Sequence, residues 1–287
     1  MSYSLNQLCR TIGVSKQAVH QYAKRQEIFD TKFIRLVVEA DELRRHFPGC
    51  GVAKMYDILK PDFIGRDRFV EAMMALGYRL KRKKNYTRTT IAACKYYPNL
   101  IKGMEVSSAG IIWQSDITYI KIADQHYYAV FIIDVYTKKI VGYSVSDHMR
   151  ATANVRALRM ALKHHPAPKI HHSDRGSQYV YKEYVDILKQ RGSRISMSLS
   201  AQDNAYAERV NRTIKNDYIE RWRPKTFGQL KTKMRQVIYH YNHVRTHDGI
   251  DKRTPAEFEK TSSMLASQHR KTITIFDNEV LTQNGQL

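Results

Sequence analysis

Asp116, Asp174 and Glu208 are the residues whose types and surroundings could do chemistry. Asp116 lies in an otherwise apolar stretch, I-I-W-Q-S-D-I-T-Y-I-K-I. Burying a lone carboxylate is costly unless it is paired or bound to metal. Asp174 closes K-I-H-H-S-D just before Arg175-Gly176-Ser177, and strand ends of this kind are where open α/β sheets place ligands. Glu208 falls one to two turns into a helix that Asp203 can cap. Taken singly, an Asp at a strand end also reads as a turn former, and a helical Glu as a solvated charge. Brought to one sheet edge, the three would offer only oxygen ligands, which favours Mg2+ or Mn2+ over zinc. Two such ions about 4 Å apart would activate an attacking water or hydroxyl and stabilise a leaving 3′-oxygen, with no protein nucleophile.

The elements that must position these acids are legible from period. I-I-W-Q-S-D-I-T-Y-I-K-I, Q-H-Y-Y-A-V-F-I-I-D-V-Y and K-K-I-V-G-Y-S-V-S-D are β-branched and aromatic, separated by the short turns Ala123-Asp124 and Tyr136-Thr137. Three strands so joined should be antiparallel. A helix at 151–164, a strand ending at Asp174, a helix at 179–191, a strand at 194–197 and a long helix from Asp203 should follow. The expected fold is α/β: a ribonuclease-H-like mixed-sheet core with helices on its faces, preceded by helical units.

Residues 4–26 read as a helix-turn-helix. Ser4 and Ser15 can cap its two helices, and Gly13 can end the first. Leu5, Leu8, Cys9 and Ile12 form one apolar face, and Ala18, Val19, Tyr22 and Ala23 the other. Lys16, Gln17, His20, Gln21, Lys24 and Arg25 then face outward, toward base edges and phosphates. Helices at 32–46, from Val52 to a stop at Pro61, and from Arg66 to Leu76 form a second helical unit, with Arg66 and Arg68 where a recognition helix would begin. Lys81, Arg82, Lys83 and Lys84 open a basic stretch that could track a phosphate backbone.

Charge points the same way. Forty-eight Lys and Arg against 27 Asp and Glu give a net charge of +21. The excess is spread, about +10 before residue 108, about +6 over 108–222 and about +5 beyond. A distributed surplus suits a long polyanion touching several domains. No run of about 18 apolar residues suggests a membrane helix, and M-S-Y-S-L-N-Q-L-C-R lacks the layout of a secretory signal. Cys9, Cys50 and Cys94 are odd in number and far apart, against a disulfide framework or a cysteine zinc site. His171, His172, His240, His243 and His247 have no cysteine pair beside them, so zinc is not the favoured reading.

W-Q-S-D-I-T-Y-I (113–120), H-S-D-R-G-S-Q-Y (172–179) and S-M-S followed by D-N-A-Y-A-E (196–208) resemble the transposases of insertion-sequence family three, whose catalytic core is similar to that of retroviral integrases. K-K-I-V-G-Y (138–143) and Y-N-H-V-R-T-H followed by T-P-A-E-F (241–258) match the same family, and the resemblance covers roughly residues 40–260. It implies that Asp116, Asp174 and Glu208 are catalytic metal ligands. It also implies that Lys215, seven residues past Glu208 and so on the same helix face, contacts the transposon end with Asn211 and Arg212 nearby. Asn204 and Ser177 match positions that support the site. The implied partner is double-stranded DNA, bound by a homodimer or higher multimer in the bacterial cytoplasm at the nucleoid.

Two features depart from the family. The 33 residues between Asp174 and Glu208 are slightly fewer than usual, and the shortfall lies in S-L-S-A-Q (198–202). No sustained heptad separates helix-turn-helix from core, so multimer contacts must lie elsewhere. The expected domains are a helix-turn-helix (1–28), a second helical DNA-binding domain (31–80), a basic linker (81–107), the catalytic core (108–222), a helical extension (223–261) and a peripheral polar tail (262–287). Two other readings remain: a catalytically silent DNA-binding regulator derived from a transposase, and a ribonuclease-H-like nuclease.

Overall fold

A computed structural model describes residues 5–80 and 96–275. The chain divides into two compact units, Met1–Leu80 and Lys81–Leu287.

The first unit is helical: α1 (Leu5–Thr11), α2 (Lys16–His46), α3 (Val52–Leu59) and α4 (Arg66–Ala75). Ser15 caps α2 by accepting from the Ala18 N–H, and Gly13 turns the chain at φ +70°. Both features follow the sequence. The length of α2 does not: it runs unbroken through 31 residues, so the boundary expected between residues 28 and 31 is absent. Residues 27–31, E-I-F-D-T, hold no Gly or Pro, and nothing there interrupts the backbone ladder. The core of this unit is Leu36, Ala40, Phe47, Met55, Phe69 and Met73. The apolar faces expected to close the helix-turn-helix are largely uncovered, with Ile12 66% and Tyr22 63% exposed; Cys9 alone is buried there. Two short helix faces without a third element cannot bury one another completely.

The second unit is built on a five-stranded sheet of order β4-β3-β2-β5-β6. Its strands are β2 (Ile112–Ile122), β3 (Gln125–Asp134), β4 (Ile140–Ser146), β5 (Ile170–Ser173) and β6 (Arg194–Met197). β2, β3 and β4 are antiparallel, and β5 and β6 run parallel to β2 and to each other. This is the expected ribonuclease-H-like arrangement. β3 reads as a near-continuous apolar run because the sheet is covered on both faces.

On one face lie α5 (Ala151–His164) and α6 (Lys182–Gln190), packed through Ala157, Leu158, Ala161, Tyr184 and Leu188. Gly142 lets α5 approach β4: a Cβ there would sit 2.4 Å from the Ala157 carbonyl oxygen and 2.8 Å from the Ala161 Cβ. That contact explains the glycine in K-K-I-V-G-Y. Further helical elements are α7 (Ala205–Thr213), a π-helical turn (Ile214–Ile219), α8 (Glu220–Trp222), α9 (Phe227–His243) and α10 (Pro255–Met264). Asn242 of α9 pairs with the edge of β4 as a strand residue would, accepting from the Ile140 N–H and donating to the Ile140 carbonyl.

Two expected boundaries move. The linker expected over 81–107 ends inside the core, since Ile101 and Val106 are buried. The tail expected to be peripheral contributes β7 (Ile273–Thr274), paired antiparallel with β1 (Glu105–Val106), and Ile275 is buried. The short alternation Ile273-Thr274-Ile275 suffices to cover an edge, although it is too brief to stand out by period.

Candidate active site

β2 delivers Asp116 opposite Phe131 of β3, one residue beyond the paired Ser115–Ser173 of β2 and β5. Asp174 follows the last residue of β5 and turns its Oδ1 back to accept from the Gly176 N–H at 3.1 Å. Glu208 lies in the first turn of α7, which packs against β2. Strand, strand end and helix therefore bring the three acids within electrostatic reach of one another.

The acids feel one another. Burial, then the charge of Asp174, pushes the Asp116 carboxyl up to about 8; Glu208 adds to the rise, and hydrogen bonds from the Ile117 N–H and the Asn211 amide oppose it. Asp174 is raised chiefly by burial, against the Gly176 bond. Glu208 is raised by burial and by Asp174, with Arg212 opposing. Among the described residues, no group of three or more His, Cys, Asp or Glu side chains is drawn together closely enough to hold one ion. Asp116 and Asp174 are instead each turned onto a nearby donor.

Asn211 sits differently from the sequence reading. Expected near DNA, it is buried and donates to the Asp116 Oδ2 at 2.7 Å. It lies one turn past Glu208, so its amide points to the same acidic end, which it helps to fix. Arg212 is exposed, and Lys215 is half-buried inside the π-helical turn, with only Ile214 between it and the regular helix. Ser177 is exposed at the start of a 3-10 turn. Lys16, Gln17, His20, Gln21, Lys24 and Arg25 are all exposed along α2. Arg66 is exposed beside Asp67. Arg68 lays its guanidinium 4.7 Å from the Phe29 ring centroid. Lys81, Arg82, Lys83 and Lys84 lie outside the described residues.

Asp203 does not cap a long helix. It closes the 3-10 turn Ala201–Asn204, where its Oδ2 accepts from the Leu199 and Ser200 N–H groups and the Ser200 side chain reciprocates. α7 starts two residues later, at Ala205. The shortened loop is therefore absorbed in a capping box wound into one tight turn.

Sequence reasoning missed the polar groups behind the acids. Gln114, wholly buried, donates to the Asp203 carbonyl and accepts from the Tyr206 and Ala207 N–H groups. Asn204 donates to the Ser115 carbonyl, and the Ser115 hydroxyl meets the buried Tyr179 hydroxyl at 3.0 Å. The signal was present: Gln-Ser-Asp is a polar triplet inside an apolar strand. His171 bonds the Tyr184 hydroxyl, and His172 bonds Ser196. Burial drives both imidazoles down, to about 3 and about 4, so they are neutral structural groups. The C-terminal signature is likewise a clasp on the helix beyond Glu208. Arg245 pairs with Asp217 at 3.3 Å, both largely buried, and His240 of α9 bonds the Tyr218 hydroxyl.

Residues 107–202 match a family profile described as an integrase core domain, and residues 193–255 match a second profile of the same description. An uncharacterized 31 kDa protein of insertion element IS600 from Shigella sonnei is 30% identical over 274 residues, covering 91% of this chain and 100% of that protein. The transposase of insertion sequence element IS904 from Lactococcus lactis subsp. lactis (strain IL1403) is 33% identical over 207 residues, covering 70% of this chain and 80% of that one. Among solved structures, the catalytic core domain of HTLV-2 integrase, determined in complex with magnesium, aligns with a TM-score of 0.45 and 16% identity over 56% of this chain and 99% of that chain.

Proposed function

The chain belongs to the transposases of insertion-sequence family three, and from that premise we propose that it cuts and joins DNA at the ends of a mobile element through Asp116, Asp174 and Glu208. As a transposase with an integrase core it is a polynucleotidyl transferase. The observation that carries the residue assignment is that the Asp116 carboxyl, pushed up first by burial, is raised further by the charges of Asp174 and Glu208.

The donor set fits a divalent cation. Three carboxylates with no thiolate or imidazole among them suit magnesium or manganese. A cation between them would favour the charged forms that burial and mutual repulsion disfavour. When bound, two such ions would polarise the phosphate and activate the attacking oxygen. The remaining work falls to the chain. Asn211 and the Ile117 N–H each hold one Asp116 oxygen and so fix the orientation of the carboxyl. Arg212 and Lys215 supply positive charge along the helix for the phosphates of the transposon end. In the first unit, the exposed residues from Lys16 to Arg25, with Arg66, read the terminal inverted repeats. The assembly on DNA is at least a dimer, because two ends must be paired. It acts in the bacterial cytoplasm.

A strand-transfer assay on end-containing DNA with Mg2+ tests the reading. Wild-type protein gives joined product, while Asp116→Asn and Glu208→Gln bind the same DNA and give none. Cleavage by wild type without joining would favour a nuclease, and binding without either reaction a silent regulator.

A further inference from the structure

We propose that Gln114 is a positioning residue, which holds Glu208 in register with Asp116 by capping the catalytic helix from the neighbouring strand. This rests on the carboxylate assignment above. The first N–H groups of any helix have no partner within it. At α7 the residue in the cap position is Asn204, and it makes no side-chain cap bond. The cap comes from across the sheet. The Gln114 Oε1 accepts from the Tyr206 N–H at 3.1 Å and the Ala207 N–H at 3.3 Å, and its Nε2 donates to the Asp203 carbonyl at 3.1 Å.

The bonding is reciprocal. Asn204, released from its own helix, donates from Nδ2 to the Ser115 carbonyl at 3.0 Å. Gln114 and Asn204 are both essentially buried, at 0% and 1% exposure. Strand residues 114 and 115 thus hold helix residues 203, 204, 206 and 207 by side-chain-to-backbone bonds running both ways. Asp116 and Glu208 are the next residues on either side. A rigid amide clamp between the two chain segments fixes the offset between two of the acids, and it does so immediately after the short loop, where an error in length would otherwise be passed on to Glu208.

Gln114→Met keeps the stem and volume of the side chain and removes all three bonds. In the metal-free full chain we expect the Tyr206 and Ala207 amide hydrogens to exchange at least tenfold faster, while those of β3 are unchanged. Mn2+ affinity measured without DNA should fall about 10- to 100-fold, the usual effect of losing a residue that orients ligands. In strand transfer kcat should fall, with KM for end DNA unchanged. Asn204→Ala, which removes only the return bond, should weaken Mn2+ binding in the same direction. It carries the test if Gln114→Met fails to fold. Unchanged amide exchange, or unchanged Mn2+ affinity in a folded variant, would overturn the proposal. If Asp116→Asn bound Mn2+ as tightly as wild type, the carboxylate assignment would fail instead, and the positioning role with it, while amide exchange would still report the cap itself.

Discussion

Asp116 is an acid whose surroundings favour its neutral form, and this has a measurable consequence for the metal-free protein. Its carboxyl ionises near 3.8 in an unconstrained chain and near 8 in the fold. Between those values the folded state holds a proton that the unfolded chain has released. The stabilisation is complete below about pH 4 and is lost as pH rises through about 8. Asp116→Asn should therefore be more stable than wild type at pH 8, on the order of 2 kcal/mol after allowance for solvent screening, with the difference vanishing below pH 4. Urea denaturation at several pH values without divalent metal measures it. Added Mn2+ should reverse the order, because it stabilises the wild type by binding the folded state and has a poorer site in the variant. A variant that is less stable at pH 8 without metal would remove the electrostatic basis of the site.

Single elements hold the site through contacts that the motifs encode without announcing. Gly142→Ala would push a methyl into the Ala157 carbonyl of α5. It should cost about 1–3 kcal/mol, the usual range for overpacking a close contact. Asn242→Ala would leave both backbone groups of Ile140, at the start of the edge strand β4, without their partner. It should cost a further 1–3 kcal/mol, roughly, because a buried polar group loses its partner. Chemical denaturation of each variant checks both values, and a cost below a few tenths of a kcal/mol would show that the contact is dispensable. The π-helical turn belongs to the same scale. Helical period predicts a regular helix through Lys215, whereas Asp217 and Tyr218 are engaged from outside by Arg245 and His240. A wide turn in a helix depends on such outside partners, and no local spacing encodes them.

Over the whole molecule the net charge is +21, and the role proposed for it is to meet DNA phosphates. Each phosphate neutralised should contribute about −0.9 to the slope of log affinity against log salt concentration. Titrations of end DNA at several salt concentrations should give a slope equivalent to several contacts. A nearly flat dependence would rule out the role assigned to the basic surface. No helix among the described residues is long and apolar enough to cross a membrane.

The sequence by itself determined the succession of strands and helices in the core, the antiparallel pairing of the first three strands and the family. Each rests on local information: period-two apolar runs, short turns and long motifs in fixed order. It also singled out Asp116, Asp174 and Glu208, each an ordinary acid taken singly, because all three stand inside family motifs in the right order. Tertiary structure decided what depends on meeting across distance. Asn211 faces Asp116 rather than solvent, Gln114 caps a helix 91 residues further on at Ala205, and Asp203 closes a turn instead of starting a helix. The helix expected to stop near residue 26 continues to His46, and Ile275 returns to the core from a stretch with no pattern of its own. A hydrogen bond across a sheet needs two residue types that are individually ordinary. Only the packing that brings them within about 3 Å gives the pair its meaning.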